Sequence, residues 1–469
     1  MHMNLKDESR ARKRMSKRGK TMQRREFLKL SGATVAISVL PGLAAEDGEP
    51  LRIAALSDIH IYDWGSEKKG ISPGEHGTLR SAFLYLRDRK IDAVTISGDL
   101  TGSKTKELAI LGKLWREAFP DNKRPDGGHV EPIFIYGNHD GLLRSEEGQA
   151  AFKRECGLTW APIYSVKVKG YAFICASWRC EKLLPAYIKE HEAELGLREN
   201  RPFFCLMHPY PRHALWAQDL DFDSESGAAA ECLKDYSNAV VLCGHVHRAS
   251  ADDRSIWQGD FTALDCGTFG YFTHTQHGCE NSRSRPKGKV FHMPRTETFG
   301  KQGMILEVRP DRIEVERRDF LYDVEIAPRC VLRRPVKGET PAFAYSEQTK
   351  RSVPPAWPEG AKIEVFERTG ADTAKHEERQ VVVRFPAASA AGHYGRPLRY
   401  RVEVTDGGKT LLTRGVVQAE YYKPLDRFPK TQDCVFGADE IPAGVTPTYR
   451  VTPVGVFGKE GAPLEGAGK

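Results

Sequence analysis

The chain is 469 residues long, 40% hydrophobic and 28% charged, which is the composition of an ordinary soluble globular protein large enough for two domains plus extensions. Its formal charge of +7 is unevenly spread: residues 1–45 hold 11 Lys+Arg and 3 Asp+Glu, and the remainder holds 59 against 60, a net of −1. Without its N-terminal segment the chain has no global basic signature, so no nucleic-acid partner is expected.

The N-terminus runs from Arg24-Arg25-Glu26-Phe27-Leu28-Lys29 through an uncharged stretch, Leu30 to Leu40, to the small residues Gly42-Leu43-Ala44-Ala45. Basic region, short apolar region and small-residue cleavage site, in that order, make a secretory signal. The paired arginines followed by Phe-Leu-Lys resemble the twin-arginine export signal, whose machinery carries folded proteins. Residues 1–45 are therefore read as a basic tail and signal peptide, and the mature protein as periplasmic or secreted. The apolar run falls short of the roughly 20 residues that span a bilayer, so no membrane span is expected in the mature chain. Ten cysteines, all beyond residue 155, are compatible with an oxidising compartment, and their spacing fixes no disulfide pairing.

From about residue 50 to 250, short apolar runs alternate with amphipathic stretches. Strands are expected at Leu51–Leu56, Ala93–Ser97, Ile133–Tyr136, Phe203–Met207 and Ala239–Cys243. Helices are expected over Thr78–Arg89, Thr105–Phe119, Ser145–Cys156, Pro185–Leu195 and Gly227–Tyr236. Continuous apolar strands between helices indicate an α/β domain whose sheet is covered on both faces. Tyr164–Val168 and Tyr171–Ala176 meet at Lys169-Gly170 as a hairpin, and Met304–Val308 and Ile313–Arg317 flank the sheet across Pro310-Asp311. Residues 271–302 have no sustained period and read as a long specificity loop or a surface insertion. Beyond a linker at 331–355, alternating runs at Lys362–Phe366, Gln380–Phe385, Leu398–Val404, Thr410–Gln418 and Thr448–Val456 indicate an all-β sandwich over 356–469. Its end, Tyr449-Arg450-Val451-Thr452-Pro453-Val454-Gly455, resembles the last hairpin of fibronectin type III domains.

The chemistry lies at the carboxyl ends of the apolar runs. The first leads into Asp58-Ile59-His60, the second into Gly98-Asp99, the third into Gly137-Asn138-His139-Asp140, the fourth into His208, and the fifth into Gly244-His245-Val246-His247. Five strands thus deliver oxygen or imidazole donors at the edge where open α/β sheets build their sites. Residues two apart leaving a strand project the same way, and the preceding glycines let the backbone come close to a small cluster. Carboxylates mixed with imidazoles suit first-row divalent metals better than calcium or magnesium. Asp58, His60, Asp99, Asn138, His208, His245 and His247 offer more donors than one ion needs. They suffice for two ions sharing a carboxylate.

These motifs resemble the calcineurin-like metallophosphoesterase superfamily, whose signature is D-x-H, GD, GNH[DE], a separate His and G-H-x-H. The resemblance implies a sandwich with helices flanking β-sheets over residues 46–330. It implies two divalent ions, Mn, Fe or Zn, with Asp58, His60 and His247 on the first, Asn138, His208 and His245 on the second, and Asp99 bridging. It implies that His139 contacts the phosphate and protonates the leaving group, with Asp140 orienting its ring. The implied reaction is hydrolysis of a phosphomonoester or phosphodiester, a small molecule or headgroup, by metal-bridged hydroxide attack on phosphorus. The residues after Asp99 lack the Tyr of purple acid phosphatases, which makes that branch unlike this chain. Trp64, Tyr210, Arg212 and Arg248 come directly after ligand segments and are candidates for the pocket wall. A reading of another class keeps the β-sandwich as a surface binder of glycan or protein beside a vestigial metal site. Substrate and oligomeric state are not legible.

Overall fold

The computed structural model describes residues 48–61, 74–215, 226–272, 300–372 and 376–467. The expected signal peptide at 1–45, Trp64, and the 273–299 part of the long loop lie outside them. Residues 47–469 form one compact unit. Among the described residues no helix is long and apolar enough to cross a membrane, and the nine described cysteines are free.

The chain begins with β1 (Leu51–Leu56), helix α1 (Gly74–Asp88), β2 (Ala93–Ser97), α2 (Thr105–Ala118), β3 (Glu131–Ile135) and α3 (Glu146–Cys156). It continues through β4 (Ile163–Val168), β5 (Tyr171–Ala176), α4 (Leu184–Leu195), β6 (Phe203–Met207), α5 (Gly227–Leu233) and β7 (Ala239–Cys243). Then come β8 (Ile256–Gln258), β9 (Thr262–Asp265), β10 (Gln302–Arg309), β11 (Arg312–Asp319), β12 (Val324–Glu325) and β13 (Cys330–Leu332). These strands make two mixed sheets. One has the order β12-β11-β10-β1-β2-β3, with β13 also on β11, and the other β4-β5-β6-β7-β9-β8.

The residue pattern implied one sheet with helices on both faces; the structure has two sheets, each with one face on helices and one on its partner. Period-two alternation assigns the sides. Ile53 and Ala55 of β1 join Phe173, Phe204, Leu242 and Leu306 between the sheets. Ala54 and Leu56 turn instead to Phe83, Leu108, Leu111 and Trp115 of α1 and α2. On the second sheet, Ile174, Cys205 and Val241 pack outward on Leu184, Ile188 and Leu233 of α4 and α5. Both strand faces are apolar whichever partner covers them, so sequence pattern cannot distinguish these arrangements.

Local signals agree with the helices. Leu108, Leu111, Trp115 and Ala118 recur at helical spacing and are the buried stripe of α2. Ser145 caps α3 by accepting from the Gly148 N–H, and Gly157 ends it at φ 74°. The β4–β5 hairpin turns at Lys169 and Gly170, both at positive φ.

Beyond β13, helix α6 (Tyr345–Arg351) docks through Gln348, whose amide donates to the Ile256 and Phe343 carbonyls. Residues 331–355, expected as a linker, hold this helix and bury Leu332, Gln348 and Ser352, while most of the stretch is exposed. The C-terminal strands are β14 (Glu364–Asp372), β15 (His376–Pro386), β16 (Pro397–Asp406), β17 (Lys409–Val417), β18 (Thr431–Gly437), β19 (Thr448–Gly455) and β20 (Leu464–Ala467). They form separate antiparallel sheets, β14-β15-β18 and β17-β16-β19-β20. Val383, Phe385, Tyr400, Val402, Phe436 and Tyr449 fill the core between them. Strands β18 and β20 lie outside the expected runs.

Helices α2 and α3 cross at Gly112, where a β-carbon would collide with the Glu155 carbonyl oxygen. Gly112→Ala gains about 1 kcal/mol of helix propensity, but overpacking typically costs about 1–3 kcal/mol. A lower urea midpoint is expected, and a raised midpoint would refute the close crossing.

Candidate metal centre

The carboxyl ends of β1, β2 and β3 from one sheet and of β6, β7 and β9 from the other share an edge, and the candidate ligands project from it. Ser97 ties the sheets together there, its hydroxyl donating to the Leu242 carbonyl at 3.1 Å. Two glycines set how close the loops come. A β-carbon on Gly137 would collide with the Asp99 carboxylate, and one on Gly244 with Ser57 and Asp58. Asp58, His60, Asp99, His245 and His247 all have φ between 48° and 73°. Left-handed backbone at a non-glycine residue costs on the order of 1–3 kcal/mol and persists only where surrounding structure enforces it.

Each carboxylate is anchored on one oxygen and bare on the other. Asp58 Oδ2 accepts from the His245 N–H at 2.9 Å, and Asp99 Oδ1 from the His139 N–H at 2.8 Å. Asp58 Oδ1 and Asp99 Oδ2, both buried, accept no well-aligned hydrogen bond. His247 Nε2 lies 3.1 Å from Asp58 Oδ1, and His60 Nε2 and His208 Nε2 each lie 3.4 Å from Asp99 Oδ2. The Nε2 atoms of His60 and His247 are 3.1 Å apart. Asp58, His60, Asp99 and His247 thus offer ligand atoms all within 4.8 Å of one another.

A second group adjoins the first. Asn138 Oδ1 is 2.9 Å from both His208 Nε2 and His245 Nδ1, and these two nitrogens are 3.2 Å apart. Asp99 Oδ2 faces both groups. The geometry therefore brings all seven expected ligands together.

Outer contacts orient two of the rings. His208 Nδ1 donates to the Ser97 carbonyl at 2.7 Å and His247 Nδ1 to the Tyr271 carbonyl at 2.6 Å, which turns each Nε2 inward. Burial raises the Asp99 carboxyl, but His208 beside it outweighs this and holds it at about 2. Burial raises Asp58 too, and His247 and its neighbours bring it well below the usual carboxylate range. Burial lowers the His208 ring, yet Asp99 lifts it to about 10, while burial and adjacent imidazoles hold His60 and His245 at about 3. The two carboxylates are thus balanced by protons on some rings, and cations entering the cluster would displace those protons.

Buried charges cost several kcal/mol each to take out of water, and a cation held between these oxygens and the imidazole nitrogens would offset that cost. The residues fit first-row divalent metals: Asp58, His60 and His247 on one side, Asn138, His208 and His245 on the other, Asp99 between.

The expected partners of the site are distributed differently. His139 is exposed, and its ring centroid lies 5.0 Å from that of His60, edge to face. Asp140 does not orient it. Its carboxylate accepts from Leu100, Thr101 and Gly137 backbone N–H groups and the Thr101 hydroxyl, which fills its four acceptor positions and staples the β2 and β3 loops. Of the proposed pocket wall, Tyr210 is instead a core residue of the layer under α4 and α5. Arg248 is buried, and Arg212 is exposed against Gly227.

Two rings that flank the centre were missed by reasoning from sequence. Trp178 lies 5.0 Å from His245 and 5.6 Å from His208, and Tyr271 lies 4.1 Å from His247. Trp178 comes two residues after β5, so the rule that singled out the other strand ends reaches it. Tyr271 lies farther from its strand, at the start of the 271–302 stretch read as a specificity loop or a surface insertion, and nothing in the spacing singled out its ring.

Residues 51–249 match the family described as calcineurin-like phosphoesterase. No curated protein matches the chain. Among solved structures, the chain is similar to a dimetal phosphatase from Danio rerio at 11% identity and TM-score 0.36, covering 61% of this chain and 100% of that one. It is similar to purple acid phosphatase PPD1 from yellow lupin at 12% identity and TM-score 0.38, covering 63% and 56%. It is also similar to GAP50, the anchor in the inner membrane complex of Plasmodium, at 13% identity and TM-score 0.37, covering 62% and 91%. Likeness at these scores carries no argument.

Asp99→Asn removes the charge shared by both groups and is expected to weaken divalent-metal binding throughout the cluster. Two Mn²⁺ ions bound at undiminished affinity in a calorimetric titration of this variant would rule out a shared ligand at Asp99.

Proposed function

We propose that the chain is an exported, two-metal phosphoesterase acting on a phosphomonoester or phosphodiester, a reading supported by the match of residues 51–249 to the calcineurin-like phosphoesterase family. The observation that carries this reading is the pair of buried carboxylate oxygens, Asp58 Oδ1 and Asp99 Oδ2, left without well-aligned hydrogen bonds and ringed by imidazole nitrogens. Two divalent ions in such a cluster, when bound, polarise phosphoryl oxygens and lower the pKa of water toward neutrality. Mn, Fe or Zn suits the donors.

The chain's own residues supply positioning and a proton. Asp58 and Asp99, pinned by the His245 and His139 N–H groups, hold the fixed negative charge that would anchor the cations. His139 stands exposed at the rim beside His60, where one of its ring nitrogens can donate a proton to the leaving oxygen. No serine or cysteine nucleophile is needed. The ligand is a phosphate-ester small molecule or a headgroup.

Export rests on the Arg24-Arg25 pair, the short apolar run after it and the small residues before Asp47. In this reading residues 46–330 are the catalytic domain. Residues 356–469 are a fibronectin type III-like sandwich, supported by their three- and four-stranded antiparallel sheets.

Hydrolysis of an aryl phosphomonoester and an aryl phosphodiester in the presence of Mn²⁺, lost on chelation and restored by the ion, is expected. His139→Ala should slow turnover by roughly 10²–10⁴-fold at unchanged metal content. Stoichiometric metal with neither ester hydrolysed would move the assignment to a binding protein. For export, Arg24→Lys combined with Arg25→Lys is expected to retain the precursor inside a bacterial host. Unimpaired delivery to the periplasm would remove the twin-arginine route.

A further inference from the structure

The segment after β9 has two faces. On one, the Thr268 hydroxyl donates to the Asp58 carbonyl at 3.3 Å, the Phe269 N–H donates to the Ser57 carbonyl, and the Tyr271 carbonyl accepts from His247 Nδ1. The Tyr271 ring lies against His247, and Gly270 sits so near that a β-carbon would come within 2.7 Å of the His60 ring. This segment is therefore the back wall of the group formed by Asp58, His60 and His247.

Its other face is held by the C-terminal sheets. Phe272, next to Tyr271, stacks on Tyr422 with centroids 4.6 Å apart and planes 6° from parallel. Tyr422 also lies against Gly300, and its carbonyl accepts from the Gln302 amide at 2.7 Å. That glutamine accepts from the Ser250 N–H, three residues beyond His247, while its own N–H donates to the Thr268 carbonyl. Around the stack, Ala249, Ala251, Phe272, Ile326, Tyr421 and Tyr422 form one small apolar core. Nearby, the Tyr421 hydroxyl donates to Asp252 at 2.7 Å, and His393 meets Asp253 at 2.8 Å. Both stretches that fix His247, the one running out through Ala249 and the one ending in Tyr271 and Phe272, therefore lie against the loop between β17 and β18.

We propose that the C-terminal sheets are a working part of the metal centre, with Tyr422 as a positioning residue that holds His247 through Phe272 and the Tyr271 carbonyl. The chain of contacts is short. A displaced Phe272 carries the adjacent Tyr271 carbonyl away from His247 Nδ1, and the ring loses the bond that turns Nε2 inward. The proposal rests on the two-metal reading above and assigns the C-terminal sheets a role that a tethered recognition module would not have.

Calorimetric titration of the full chain with Mn²⁺, alongside metal analysis and thermal unfolding, tests it. Loss of a partner that orients a metal-bound histidine typically costs roughly 10–100-fold in affinity, so Tyr422→Ala should weaken one of two Mn²⁺ sites by that factor. Tyr422→Leu, which keeps apolar volume without the flat stack, should behave alike and serves if the alanine variant does not fold. Tyr422→Phe should restore wild-type binding. Val451→Ala, in the sandwich core away from Tyr422, should lower the unfolding temperature and leave both sites intact. A folded Tyr422→Ala or Tyr422→Leu protein that binds two ions like the wild type overturns the coupling alone, as does equal loss in Val451→Ala. Fewer than two ions in the wild type overturns the two-metal reading and the coupling with it.

Discussion

Two carboxylates buried among histidines, Asp58 and Asp99, govern how this molecule is built. Each gives one oxygen to a backbone N–H and presents the other, without a well-aligned hydrogen bond, to imidazole nitrogens. Such an arrangement is expensive as a structural device, since taking paired charges out of water costs several kcal/mol per ion and left-handed backbone at five of these residues adds to it. A fold keeps that expense where a cation offsets it. The surrounding features serve the need to hold these oxygens still: the glycines that let loops approach, the carbonyls that set ring tautomers, and Asp140 binding one loop to the next.

Two sheets meet this need better than one. Ligands from the ends of β1, β2 and β3 meet ligands from the ends of β6 and β7 across a packed apolar layer, so neither set depends on a long flexible loop. The layer is close-packed and resists small displacements, and a cluster whose members must agree to a few tenths of an ångström is placed by its most rigid part. Helices on the outer faces complete the burial that keeps each sheet in register.

The C-terminal sheets belong to the same mechanical unit. Polar contacts from Tyr421, Gln302 and His393 join an apolar patch around the Phe272–Tyr422 stack, all within reach of the residues that flank His247. This seam mixes buried charge with aromatic contact, and it lies behind the candidate metal cluster rather than at the rim where His139 stands. A module attached there is placed to brace the cluster from behind.

The donor residues and most strands were legible in the sequence because their causes are local. Five apolar runs each led into Asp, Asn or His; β1, β2, β6 and β7 have the expected bounds; and α3 ends at Cys156 as expected. What needed the tertiary structure was everything set by a partner distant in the chain. Apolar strands look the same against helices or a second sheet, so the sandwich could not be read from pattern. Asp140 adjoins His139 in sequence yet spends its carboxylate on the β2 loop, because four donors there outcompete one neighbouring ring. Tyr210 comes after a ligand but turns into the core, and Tyr271 and Tyr422 gain their roles only from residues far along the chain. Spacing along a strand fixes which side chains leave it together, whereas the partner each one meets is chosen by packing.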